Sequence, residues 1–317
     1  MLHRWNRCGH YARLGVIFDG LPPGGAIVVT ALHDKWLFCH DSDIQVPPNT
    51  MTDLTYCILD DLGVLDIRGP DSKRFLQGQL SADVSALMPD QQGLAGLHTP
   101  QGRVICVLRL QCLAEDHLLA ILPAVLAESV ASRLRRYVLR AKVVIEDCSA
   151  GFQVLGVWQG SQRRLQVIER GTAPPEGQRR DAAAWQLAEI RDGLPQVVAA
   201  TSDHFVAQML NLDLLGGISF TKGCYTGQEV IARAHYRGRV KRRVQRFVTQ
   251  SDAALLPGSR WTLPDGRNIE ILIAEKAERG GQELLAVTAL TAEAAVAGDQ
   301  PLLQGQPAAL PYALPLD

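Results

Sequence analysis

The chain has 317 residues, 47% of them hydrophobic and 21% charged, with a formal net charge of −1. This is ordinary usage for two or three soluble domains, and it excludes a collagen-like, disordered or globally basic nucleic-acid-binding chain, so that any contact with a polyanion must be local. The seven cysteines are scattered without a Cys-x-x-Cys pair, which argues against a disulfide framework and against a self-contained metal site.

Residues 1–50 hold four of the eight histidines, and neither helical nor strand periodicity persists there. Cys8, His10, Cys39 and His40 match no common zinc spacing. Met51 stands just ahead of the first well-patterned segment, so the expectation is a natural start at Met51, with 1–50 as an extension. No apolar run reaches about 18 residues and no secretory signal opens the chain, which makes a cytoplasmic protein without membrane contact the expectation.

A first α/β domain is expected over 51–148. GVLDIRG from Gly63 alternates like a strand, and Pro70-Asp71 opens a helix in PDSKRFLQGQL. Strands follow around 93–98 and 103–112, joined by a turn at Thr99-Pro100-Gln101-Gly102. A strand at His117–Leu122 leads into a helix with Val125, Leu126, Val130, Leu134 and Val138 at helical spacing, and residues 142–146 close the unit. The order β-α-β-β-(β)-α-β is close to the split β-α-β, or ferredoxin-like, class. A second α/β unit over 149–238 shows strand-like FQVLGVW and WQLAEIR, a loop around 171–180 and helical FVAQMLNLDLL. Over 239–317, VQRFVTQ, IEILIAE and ELLAVTAL with intervening turn residues predict a small antiparallel β-barrel.

The stretch KGCYTGQEV, Lys222 to Val230, carries the chemistry. Thr226 followed by Glu229 has capping-box spacing, placing a helix start at Gly227 and an end by Gly238. Cys224 would then lie just before the positive end of a helix, where backbone N–H groups favour an anion, and Lys222 adds charge. Gly223 and Gly227 permit a tight backbone and close approach of a ligand. This favours an accessible thiolate; the alternative is a small buried cysteine in a glycine turn. His204 and His235 are available as partners, but no spacing sets either beside Cys224. Downstream, Arg233, Arg237, Arg239, Lys241, Arg242, Arg243 and Arg246 form a basic strip without an acidic residue, suited to weak RNA contact through 233–246, to a polyglutamate tail, to an acidic partner or to a solvated face.

ArgAspGlyLeuPro at 191–195, GlnMetLeuAsnLeuAsp at 208–213, LeuGlyGlyIleSerPhe at 215–220 and KGCYTGQEVIAR at 222–233 closely resemble the YgfZ-type folate-binding proteins. The resemblance extends upstream through GVLDIRGPDSKRFLQGQLSADV at 63–84 and covers 54–310, but not 1–50. It implies the α+β fold of the glycine-cleavage T-protein, a ring of three domains around an opening that takes tetrahydrofolate, the first domain folate-binding and the last a β-barrel. It also implies an accessory role in iron–sulfur cluster assembly or repair, serving enzymes such as those that methylthiolate tRNA, with client or assembly proteins as partners. Cys224 would be the essential thiol with Lys222 in support. Gly223, Tyr225, Thr226, Gly227, Gln228 and Glu229 would shape the motif, and Arg191, Arg233 and Arg237 are the candidates to face folate.

The runner-up is a folate-dependent aminomethyltransferase, which shares that fold. Here the T-protein-like Gly-Gly-Val-Ile-Asp-Asp-Leu appears as Gly102-Arg103-Val104-Ile105-Cys106-Val107-Leu108, so Cys106 and Val107 replace the aspartates that would manage protons at the folate. Arg191 likewise replaces a pterin-facing glutamate, and strand alternation would turn Asp192 to the other face. A classical enzyme is therefore not the expectation.

Overall fold

The computed structural model describes residues 31–32, 35–36, 54–238, 240–292 and 300–315. Contacts divide the chain into Met1–Leu54 and Thr55–Asp317. In the first unit, β1 (Ala31–Leu32) pairs antiparallel with β2 (Lys35–Trp36). The expectations about Met51 and about Cys8, His10, Cys39 and His40 lie outside the described residues, as does Arg239 in the basic strip.

Three sheets build the rest. The first has the order β5-β6-β7-β4-β8, from β4 (Leu62–Arg68), β5 (Gln92–His98), β6 (Val104–Ala114), β7 (His117–Pro123) and β8 (Val144–Asp147). α1 (Ser72–Gln79) and α2 (Ala124–Arg135) bury Phe75, Leu76, Leu126, Val130 and Leu134 in a common core with Leu65 and Ile67. The element order is the predicted one. The pairing differs from a ferredoxin-like sheet, because the additional strand sits between β6 and β4, and the β4-α1-β5 connection therefore joins antiparallel strands. β4 is buried almost continuously rather than alternately, as a strand with neighbours on both edges and helices on its face should be. The Thr99–Gly102 turn forms as expected, with Gly102 N–H donating to the Thr99 carbonyl at 2.9 Å.

The second sheet has the order β10-β9-β3-β11, from β3 (Leu54–Ile58), β9 (Phe152–Gln159), β10 (Gln162–Glu169) and β11 (Gln178–Arg179). WQLAEIR is not a strand but part of α3 (Ala182–Asp192). Asp181 caps it by accepting from Ala183 N–H at 2.9 Å, Gly193 ends it at φ 68°, and the alanines between favour the helix. FVAQMLNLDLL is also not a long helix: one 3₁₀ turn, Ala207–Leu210, ends at Asn211, which has φ 56°. Asn211 is fully buried there, donating to the Val244 carbonyl and accepting from Arg243. α4 (Gln228–Tyr236) completes this part.

The third sheet has the order β13-β14-β15-β12-β16, from β12 (Arg242–Thr249), β13 (Arg260–Thr262), β14 (Asn268–Lys276), β15 (Gln282–Ala289) and β16 (Gly305–Ala308). It is antiparallel as predicted, but no ladder closes it into a barrel among the described residues. Its two edges meet only through an isolated parallel bridge between Thr262 and Leu302, where β13 is too short to extend the pairing. A core of Val104, Val107, Ile190, Leu210, Tyr225, Ile231, Leu272 and Leu285 joins elements of the first and third sheets to the chain between them.

Two buried polar groups give measurable consequences. Arg243, 4% exposed, meets Asp213 with two bonds of 2.9 and 2.8 Å and also donates to the Gln208 carbonyl. Arg243→Met leaves Asp213 unpaired, so urea denaturation should show a loss of about 3–5 kcal/mol, partly recovered by adding Asp213→Leu. His98 is 1% exposed with neither ring nitrogen hydrogen-bonded, and burial lowers its imidazole from 6.5 to about 3. Across that window the unfolded chain binds a proton that the native state does not, so His98 makes stability fall as pH is lowered from 6.5 toward 3. Denaturation of His98→Leu at successive pH values should show a shallower acid loss than wild type.

Candidate functional site

The motif loop is held at two points. On one side, residues 217–222 are laced to residues 80–82 beyond α1. Ser219 N–H donates to the Ser81 carbonyl at 2.9 Å, Ser81 Oγ donates to the Gly217 carbonyl at 2.6 Å, and Lys222 Nζ donates to the Leu80 and Ala82 carbonyls at 2.7 and 2.8 Å. Burial pulls the Lys222 ammonium down to about 8, against the opposing charge of Asp83. Lys222 thus serves as a backbone clamp, and its amine also lies 5.1 Å from the centre of the Tyr225 ring.

On the other side, Gly227 lies directly against the Thr99–Gly102 turn. A Cβ on Gly227 would stand 2.5 Å from the Thr99 carbonyl oxygen, and one on Gly102 would stand 2.9 Å from Val230 Cβ. Both glycines have positive φ, 83° and 74°, which side chains rarely adopt. The close approach expected of Gly227 is therefore made to this backbone turn. Gly223, by contrast, has open space where a Cβ would be. The capping box does not form: Gly227 itself is the N-cap, without a side-chain bond, and Glu229 instead pairs with Arg233 at 2.8 Å. Thr226 sits half-buried before the cap, and Gln228 N–H donates to the Tyr225 carbonyl at 3.2 Å.

Between the two anchor points Tyr225 turns inward and Cys224 outward. Tyr225 is buried, which raises its phenol to about 12, and its ring centre lies 6.3 Å from that of His98. Sequence reasoning missed His98, because a histidine preceding a turn carries no signal of burial. Cys224 is exposed, whereas Cys57, Cys106, Cys112 and Cys148 are buried. Burial pushes the Cys57 thiol up to about 11 and raises those of Cys106 and Cys112 as well. Cys224 is therefore not a packing residue. The two histidines considered beside it have other partners: His204 pairs with Glu270 at 2.8 Å, and His235 stacks on Phe220.

A second feature opens beside the last turn of α3. A cavity of about 270 Å³ is lined by residues including Gln92, Arg109, Arg163, Arg164, Trp185 and Glu189, with Asp192 at its edge. Glu189 pairs with Arg109 at 2.9 Å, and Asp192 pairs with Arg163, which also lies over the Trp185 ring at 4.8 Å. Because the segment is helical, Glu189 and Asp192 share a face, and Asp192 reaches the cavity that strand alternation would have denied it. Arg191 points away, binding Glu283 of β15 through Nε and Nη2 at 3.1 and 2.7 Å. Although burial opposes it, Arg191 and Arg246 hold the Glu283 carboxyl below its ordinary value. Of the other folate candidates, Arg233 is paired to Glu229 and Arg237 is exposed just past α4.

The basic strip is not one surface. Arg243 is internal, and Arg246 pairs with Glu283 at 2.6 Å. Among the described residues no group of three or more His, Cys, Asp or Glu could hold a metal ion, and no helix is long and apolar enough to cross a membrane.

No family model matches the chain. The tRNA-modifying protein YgfZ of Escherichia fergusonii is 33% identical over 275 residues, covering 74% of this chain and 81% of that protein. The proteins of the same name from Escherichia coli O7:K1 and K12 strain DH10B are 33% and 32% identical over the same coverage. Among solved structures, the glycine cleavage system aminomethyltransferase T of Bartonella henselae is similar with a TM-score of 0.62 at 12% identity, covering 76% of this chain and 80% of that one. That likeness describes the fold, a mixed α+β architecture rich in sheets. The identity and coverage of the curated relatives show that the chain belongs to the YgfZ family.

Proposed function

We propose that this protein is a folate-binding accessory factor for iron–sulfur cluster assembly or repair, acting through the Cys224 thiol in support of enzymes that modify tRNA. The observation that carries the reading is the exposure of Cys224 on a loop whose flanks are fixed to the first domain. A fixed backbone presenting a free sulfur suits thiol exchange or transient cluster handling with a partner, since one cysteine cannot hold a cluster alone. The relatives' name as tRNA-modifying proteins supports the choice of clients.

The cavity at α3 fits part of a folate. Guanidinium, carboxylate and amide groups line it, and Arg163 Nη1 is buried beside it without a hydrogen-bond partner. Its volume of about 270 Å³ falls below the range of about 300–1,000 Å³ that encloses drug-sized ligands, so it suits one ring system, with the remainder of the ligand outside. Arg163 and Arg164 would hold acidic or carbonyl groups, while Glu189 and Gln92 would meet ring N–H groups. Bound tetrahydrofolate supplies a carrier of one-carbon units. Against aminomethyl transfer stands Val107, which lines a smaller adjoining cavity with Arg109 and Glu189, and Cys106, which is buried in the first-sheet core. Neither supplies a carboxylate at the positions where the T-protein pattern has aspartates.

Two measurements test this. In cells lacking the protein, complementation with Cys224→Ala at matched abundance should leave methylthiolated tRNA, quantified by mass spectrometry, at the empty-vector level; full restoration would remove the thiol from the function. Tetrahydrofolate at about 100 times its dissociation constant should raise the unfolding free energy by about 2.7 kcal/mol. Arg164→Gln should weaken that binding by about tenfold, and unchanged affinity would mean that folate lies elsewhere.

A further inference from the structure

The end of α4 carries a feature that the thiol reading does not use. The Phe220 and His235 rings are stacked, with centres 3.8 Å apart and planes at 16°. Tyr236 stands nearly perpendicular to both, at 70° and 79°, with centres 6.2 and 4.7 Å away. Despite these contacts Tyr236 is 68% exposed. Two edge contacts restrict its orientation in advance, so a flat ligand stacking on it forfeits little further side-chain freedom.

The charged side chains that follow Tyr236 in sequence, up to β12, are cations. Among the described residues, neither Arg237, next to Tyr236, nor Lys241, just before β12, has a carboxylate partner, and both are exposed. The one carboxylate of α4, Glu229, is held by Arg233 at the other end of the helix. An exposed ring followed in sequence by exposed cations suits the alternation of bases and phosphates in an unpaired nucleic acid.

We propose that the C-terminal end of α4 is a docking platform for single-stranded RNA, on which Tyr236 stacks a base while Arg237 and Lys241 meet phosphates. This deepens the function proposed above, and rests on it, by naming the nucleic acid that the protein would hold. Phe220 belongs to the segment laced onto residues 80–82, so the platform and the thiol share one rigid support.

The test is fluorescence anisotropy with a labelled oligouridylate of about 12 nucleotides. Wild type should bind at low salt, with affinity falling linearly on a logarithmic salt axis. Tyr236→Ala should weaken binding by about tenfold and Tyr236→Phe by no more than about twofold, because stacking needs the ring and not the hydroxyl. Arg237→Gln should flatten the salt dependence, and a duplex RNA of equal length should bind more weakly than the single strand. The proposal is overturned if the oligouridylate is not bound, if Tyr236→Ala binds as wild type does, or if the duplex binds as well. Cys224→Ala should keep RNA binding while failing in complementation. Absent RNA binding with that same complementation failure would remove the platform and leave the thiol function standing.

Discussion

The last turn of α3 sends three charged side chains to three different sheets. Glu189 reaches Arg109 of β6, Asp192 reaches Arg163 of β10, and Arg191 reaches Glu283 of β15. A helix advances about 100° per residue, so three positions within four residues point in separate directions, and this one turn ties the first, second and third sheets together. Removing Arg109 leaves the buried Glu189 carboxylate without this ion-pair partner, whereas Glu283 keeps Arg246 if Arg191 is lost, so the Glu189 pair specifies geometry most tightly. The cavity beside α3 is a consequence of two of these pairs: its walls include α3, β6 and β10, which Glu189–Arg109 and Asp192–Arg163 bring together.

The Cys224 loop depends on that assembly at one remove. Its anchors, residues 80–82 and the Thr99–Gly102 turn, both belong to the first-sheet unit, while Ile231 of the following helix is buried in the core that reaches the third sheet. The contact of Gly227 with Thr99 is backbone against turn, with no room for a methyl group, and Lys222 closes the other flank through carbonyl oxygens. A loop fixed in this way presents Cys224 with little conformational freedom, which favours reaction with a partner that must approach along one direction.

Much of this was legible in the sequence where local rules act alone. The succession of elements along the first α/β unit, though not their pairing, the turn at Thr99–Gly102 and the strands at 152–159, 242–249 and 268–276 follow from periodicity and turn residues. WQLAEIR was misread because its apolar spacing suits a strand as well as a helix, while Asp181 and Gly193, which bracket the helix, lie outside the stretch. FVAQMLNLDLL has a helical pattern, but buried Asn211 finds better partners in Arg243 and Val244 than a helix would offer. The KGCYTGQEV motif was visible, yet the function of Lys222 was not, because its acceptors are 140 or more residues away in sequence. The basic strip dissolved for the same reason: Asp213 and Glu283 neutralise Arg243 and Arg246 from other elements.

Among the described cysteines the fold exposes one sulfur, at Cys224, and buries Cys57, Cys106, Cys112 and Cys148. Pulsed alkylation of the native protein with iodoacetamide, mapped by peptide mass spectrometry, measures this directly. The account predicts rapid modification of Cys224, with Cys57, Cys106, Cys112 and Cys148 protected until denaturant is added. Modification of Cys224 no faster than that of the buried Cys106 would contradict it.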